Sequence, residues 1–452
     1  MNDQFPIERG SKMSKKSNRN PLLFIILSAA LLPACSGQKQ EAGNPVPVQE
    51  LPPSQQTEKA PETEKAEPVM LYVSGGRYVN TEGFMKTYGD YIQKKYPHIR
   101  FTVYDNKWVK DLVATGSQID IFYSDPVAFP RDLMQFGLEY DMTELIKANN
   151  FDLNRLYPGP IQEIQATFDS KITGLPLNMR NVVLNYNKDL FDKFGVAPPK
   201  DDMTWDEAYE LARKMTRSDG GVQYRGFEYS SHLINYNQLS ISEVDPKTER
   251  STVNSDQRWA ELVRNFVRFH EIPGNQKPVV GPADHFDKGE TAMYGSTPII
   301  ASPTIPFALD YAKLPSFPSK PGVGSQSPAT YIGLTSTTKH HKEAFKVIEY
   351  LLSEEFQTIH TRQGNISSLK SSQVNERFGA DVQELAGKNL KAIIPSNPAA
   401  PSANKWTGQT SATLWTTLTK VLHGEMDINS GLRLIDEEVN KKIDEIKAAS
   451  GK

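Results

Sequence analysis

Val69-Met70-Leu71-Tyr72-Val73, closed by Ser74-Gly75-Gly76, is followed over 81–96 by Phe84, Tyr88, Tyr91 and Ile92 at helical spacing. The apolar run reads as a buried strand and the serine-glycine cluster as the turn that ends it. Pro97 stops the helix, and Ile99-Arg100-Phe101-Thr102-Val103 then alternates as a second strand. A helical stretch at 108–114 leads to Ile119-Asp120-Ile121-Phe122-Tyr123, again strand-like. Strand and helix therefore alternate, which predicts an α/β lobe with a largely parallel sheet.

Towards the C-terminus, Val182-Val183-Leu184-Asn185-Tyr186 reads as a strand, and 205–215 as a helix with Thr204 as its N-cap. The apolar spacing predicts single amphipathic helices over 258–269 and 343–357, and a last, charge-alternating helix over 432–448. No internal repeat appears. Roughly 385 residues follow residue 68, more than one core usually covers, so two lobes are expected.

Towards the N-terminus the character of the chain changes. Residues 36–68 are rich in Pro, Glu, Gln, Lys and Thr and cannot bury enough surface to offset their ordering entropy, so 35–68 is expected to be a disordered tether. Over this length a flexible chain spans about 30–35 Å. Before it lies Leu32-Pro33-Ala34-Cys35, preceded by the apolar run 22–32 and by Lys12, Lys15, Lys16 and Arg19. A basic stretch, a short apolar core and small residues at the cut make 1–34 a secretory signal, too short an apolar run to span a bilayer comfortably. The pattern resembles the lipobox of bacterial lipoproteins, in which the cysteine becomes the lipidated N-terminus; the alternative is a buried structural cysteine. Met13 offers a second start.

Residues 1–34 hold five Lys/Arg and two Asp/Glu, so the remainder carries −6 against −3 for the whole chain. That balance argues against a nucleic-acid partner. With one cysteine, no disulfide can form within the chain, and the core must stabilise the fold. There is no Gly-x-Ser-x-Gly elbow, no His-Glu-x-x-His, no phosphate-binding Walker loop and no metal-spaced cysteine pair, so neither cofactor nor metal is expected. Two carboxylates placed only in space could still make a glycosidase.

Five stretches in order carry a resemblance. They are Tyr96-Pro97-His98-Ile99-Arg100-Phe101; Ile119-Asp120-Ile121; Thr173-Gly174-Leu175-Pro176 with Leu184-Asn185-Tyr186-Asn187-Lys188-Asp189-Leu190-Phe191; Lys288-Gly289-Glu290-Thr291-Ala292-Met293; and the segment from His341-Lys342-Glu343-Ala344-Phe345 to Leu351-Leu352-Ser353-Glu354-Glu355. From about Val69 to the C-terminus the chain resembles the extracellular solute-binding proteins of ABC importers, in the group that includes maltodextrin-binding protein. The resemblance implies a two-lobed periplasmic-binding-protein-like α/β fold with a ligand cleft between lobes joined by crossover strands. It places lobe 1 at 69–177 and 335–390, and lobe 2 at 178–334 and 391–452.

It also implies the partners: a small solute, most readily a carbohydrate, and ABC permease subunits. The protein would be a monomer held by lipid on the outer face of a cell membrane, with a lean towards a Gram-positive cell, and not an enzyme. Cleft candidates are Arg77 and Tyr78 after the glycine turn, Ser124 and Asp125 after Tyr123, Asn178, Arg180, Tyr236, Tyr294 and Trp406. Arg, Asp and Tyr or Trp suit a sugar, whose hydroxyls take bidentate polar partners and whose ring face takes an aromatic. Asp125 equally suits a turn with Pro126, and Arg77 a solvated loop. Arg180 departs from maltodextrin-binding protein, which has a cleft carboxylate there; it either orients an acidic ligand group or forms a structural ion pair. Ile299 stands where maltodextrin-binding protein has a stacking tryptophan, which speaks against maltodextrin itself. Trp406 lies near the cleft in relatives, with core packing as its alternative. Asn181, Asn235 and Gln238 are weaker companions.

Overall fold

A computed structural model describes residues 67–76, 79–275, 284–300 and 305–449. The leader, Cys35, nearly all of the tether, Arg77 and Tyr78 lie outside the described residues.

Two sheets organise the chain. The opening run forms β1 (Val69–Ser74), and β2 (Ile99–Val103) and β3 (Ile121–Ser124) lie parallel to it on either side. Next come β4 (Leu175–Met179), β5 (Val183–Asn187), β6 (Arg217–Asp219) and β7 (Val222–Tyr229). A two-stranded pair follows, β8 (Val244–Asp245) with β9 (Arg250–Ser251). The remaining strands are β10 (Thr291–Ser296), β11 (Leu309–Lys313), β12 (Gly324–Gln326), β13 (Ala329–Leu334), β14 (Ile366–Ser367) and β15 (Pro398–Ala399). The first sheet has the order β14-β4-β13-β3-β1-β2 and the second β11-β5-β10-β7-β6.

Neither sheet is largely parallel. In the first, β13 runs antiparallel to both β3 and β4; in the second, only β7 and β10 pair in parallel. The cause is the route of the chain: it leaves the first sheet through β4, enters the second through β5, and returns through β13. These crossing strands run against the strands laid down by strand-helix alternation. The backbone of β13 pairs with two first-sheet strands, β3 and β4.

The helices follow local chemistry. Helix Trp205–Met215 opens on a reciprocal cap: the Glu207 amide donates to Thr204 Oγ1 at 3.3 Å, and the Thr204 amide donates to Glu207 Oε2 at 2.7 Å. The single helix expected over 343–357 is two, His341–Leu351 and Glu354–Arg362. Ser353 breaks it, because its Oγ accepts from the Phe356 amide at 3.2 Å and restarts the chain as an N-cap.

Each sheet has its own core. Leu71, Val73, Ile92, Leu175, Ile332 and Phe345 fill the first; Trp205, Phe227, Trp259, Phe266, Leu418 and Ile435 fill the second. A third apolar cluster takes Phe122, Phe129 and Tyr331 from the first lobe and Val183, Tyr294 and Tyr311 from the second, so the two sheets share buried side chains. The crossing segments are also tied to one another: Arg180 N donates to Pro328 O at 2.8 Å, and Val182 N to Ser325 Oγ at 3.1 Å.

Candidate functional site

The carboxyl ends of β3, β4 and β7 deliver the polar groups, where open α/β sheets commonly hold ligands. After β3, Asp125 Oδ1 accepts from the amides of Val127 and Ala128, both at 2.9 Å, and so starts helix Ala128–Phe136. After β4 comes Arg180. After β7, Ser230 turns the chain into the short helix His232–Asn235, with Ser230 Oγ and His232 Nδ1 3.1 Å apart. The His232 ring lies flat against Tyr236, with centroids 5.5 Å apart and planes 7° from parallel. Gln326 N fixes the Tyr236 carbonyl at 3.0 Å.

The first lobe adds two residues. Glu163, on the inner face of helix Pro158–Thr167, lies 2.6 Å from the Tyr331 hydroxyl, which is also 3.1 Å from Pro160 O. A phenol has one proton to give to two acceptors. The Tyr331 hydroxyl therefore donates to either Glu163 Oε2 or Pro160 O. Burial pushes the Glu163 carboxyl up to about 7, with the Tyr331 hydrogen bond opposing the rise.

Electrostatics link the two walls. Burial lowers His232 to about 4, and the Arg180 charge pushes it the same way. Burial raises the Tyr236 phenol; Arg180 opposes the rise, while Asp125 and Glu163 add to it. Tyr331 in turn feels Glu163 and Tyr236. Arg180, Asp125 and Glu163 thus all lie within electrostatic reach of Tyr236, and Tyr331 within reach of Glu163 and Tyr236. The lips meet as well: a Cβ on Gly408 would stand 3.3 Å from Arg131 Cβ, and one on Gly159 would stand 4.0 Å from Pro401 Cδ. Among the described residues, no group of three His, Cys, Asp or Glu could hold a metal ion, and no helix is long and apolar enough to cross a membrane.

Residues 77–358 match the model of the bacterial extracellular solute-binding protein family. The chain belongs to this family. Solved structures share the fold of this solute-binding protein at low identity. A sugar transporter from Rhizobium etli in an open conformation is 20% identical, with TM-score 0.66, covering 82% of this chain and 99% of that one. An ABC substrate-binding protein from Listeria monocytogenes in complex with cycloalternan is also 20% identical, with TM-score 0.67, over 83% and 99%. The sugar-binding protein MalE from Xanthomonas citri is 16% identical, with TM-score 0.66, over 85% and 100%.

Of the residues expected at the cleft, the solute-binding protein brings Asp125, Arg180 and Tyr236 together. Ser124 ends β3 opposite Tyr331, and Asn178 lies on β4 opposite Thr330 and Ser367. Tyr294 is 6% exposed and stacked on Phe286 in the shared cluster. Trp406 is 5% exposed in the second core, with Lys405 and Lys447 each 5.7 Å from its ring. Ile299 is partly buried against the shared cluster.

The weaker companions serve the framework. Asn181 donates to Ile393 O at 2.9 Å, Asn235 Oδ1 accepts from the Trp415 indole at 2.8 Å, and Gln238 Oε1 accepts from the Trp205 indole at 2.8 Å. Reading by sequence missed Glu163, His232 and Tyr331. A signal existed for Glu163, a charged residue on the same helical face as Pro160, Ile164 and Thr167.

Proposed function

We propose that this solute-binding protein captures a sugar or oligosaccharide between its lobes and delivers it to the permease of an ABC importer, itself held at the outer membrane face through a lipid on Cys35. The observation that carries the reading is the flat His232–Tyr236 stack with Asp125, Glu163 and Arg180 within electrostatic reach of Tyr236. A pyranose needs both: an aromatic face for its apolar side and polar groups for its hydroxyls. The family match, the Listeria protein's complex with cycloalternan and the sugar-binding description of the Xanthomonas protein support it. Closure around the ligand is a population shift; moving the lobes from 1:99 to 99:1 takes about 5.5 kcal/mol of preference for the closed form.

Calorimetric titration with a panel of oligosaccharides tests the reading. A heat of binding that Tyr236→Ala weakens at least about tenfold is expected, as for loss of a stacking platform. Absence of binding to every saccharide overturns it, and release of reducing ends from a bound glycan would make the protein a hydrolase instead. Cys35→Ser should shed the protein into the medium with its affinity unchanged, as followed by fractionation.

A further inference from the structure

We propose that the ligand carries a carboxylate, as in a uronate-containing saccharide, and that Arg180 is the residue that receives it. The proposal rests on the carbohydrate reading above and narrows it. Six arginines of the described residues are half-buried, and five have an acceptor. Arg131 donates to Asp132 at 2.8 Å, Arg155 to Leu352 O at 2.7 Å, Arg225 to Glu228 at 3.2 Å and Arg268 to Asn265 at 2.7 Å. Arg217 donates to Lys214 O. Arg180 alone makes no ion pair or side-chain hydrogen bond, although its backbone is fixed to Pro328. A guanidinium withdrawn from water without a partner is unfavourable. Its planar fork of donors matches a carboxylate through two parallel hydrogen bonds.

The carboxylates nearby do not neutralise it. Asp125 commits Oδ1 to the Val127 and Ala128 amides and forms no ion pair with Arg180. Glu163 accepts from the Tyr331 hydroxyl and forms no ion pair with Arg180. His232 stays neutral beside Arg180 and supplies no negative charge. The Arg180 guanidinium thus stays without an ion-pair partner beside the His232–Tyr236 stack. A pyranose lying on that stack would present a ring carboxylate to Arg180.

The test is calorimetric titration of the whole protein with an oligogalacturonate trimer, the neutral galactose trimer of the same linkage, a sulfated galactose trimer and free citrate. The expected result is binding of the uronate trimer at least about tenfold tighter than the neutral one, the scale of one charge-assisted pair. Arg180→Gln should remove that preference, and Arg180→Lys should restore part of it, since the charge returns without the fork. Thermal melts confirm that both variants fold. Equal affinity for uronate and neutral trimers overturns the assignment and leaves the carbohydrate reading standing. Tighter binding of the sulfated trimer overturns the carboxylate. Binding of citrate with no saccharide overturns the carbohydrate reading and leaves Arg180 as the anion receptor. Binding of none overturns both.

Discussion

Glu163→Gln offers a sharp test of the polar geometry. Glu163 is 8% exposed, 2.6 Å from a phenol that has a second acceptor at 3.1 Å. The folded protein therefore holds a carboxyl proton up to about pH 7, where an unfolded chain releases it near 4.5. Between those values the folded state binds more protons than the unfolded, so this residue makes stability fall as pH rises through the window. At about 1.4 kcal/mol for each tenfold in proton affinity, the decline totals about 3 kcal/mol.

Glutamine keeps an acceptor for Tyr331 and does not titrate, so its stability relative to wild type should improve by about 3 kcal/mol from pH 4.5 to pH 8. Other groups contribute to each protein alone: Glu243 is raised to about 7 in the same sense, while His232 and His360 are lowered to about 4 and make stability fall as pH drops from 6.5. They cancel in the difference between the two proteins. Urea unfolding followed by circular dichroism across this range measures it. A difference that does not change with pH would refute the raised affinity of the buried Glu163 carboxyl for its proton.

Two backbone contacts give further predictions. An added Cβ at Gly226 would stand 2.0 Å from the Ala212 carbonyl oxygen, where β7 crosses helix Trp205–Met215. Backbone cannot yield as a side chain can, so Gly226→Ala should lose about 3 kcal/mol by urea unfolding; a loss below about 1 kcal/mol would show that the crossing is looser. Gly408→Val should prop the lips apart at Arg131. A penalty of about 1.4 kcal/mol on the closed form weakens ligand binding about tenfold while the ligand-free melting point stays put. Unchanged affinity in calorimetry would exclude that contact from closure.

The sequence makes some of this legible and hides the rest for physical reasons. The run at Val69–Val73 and the cap at Thr204 are local signals, and both appear in the fold. The two-lobed fold is legible through the ordered motifs of the resemblance. Sheet direction is not, because the pairing of β13 with β3 and β4 joins residues far apart in the chain. Ser353 shows how one hydroxyl divides an otherwise continuous apolar period.

At the cleft, Arg180 stands out through its position in the chain. Asp125 keeps both of its readings, since it caps a turn and acts on Tyr236. Glu163 escapes notice because helical periodicity assigns charged residues to the outside, while a hydrogen bond from the Tyr331 hydroxyl lets this one turn inward. An aromatic residue type alone does not say whether its ring faces a ligand or a core, which is why Tyr294 and Trp406 needed coordinates.

The position of β13 has a consequence for how the protein is made. It lies between β3 and β4, yet it is synthesised after the second sheet has been completed. Until Leu334 has emerged, β3 and β4 remain open edges and the first sheet cannot zip shut. A domain whose central strand arrives late has high contact order and folds slowly. The topology itself postpones completion of the first sheet until nearly three-quarters of the chain is available.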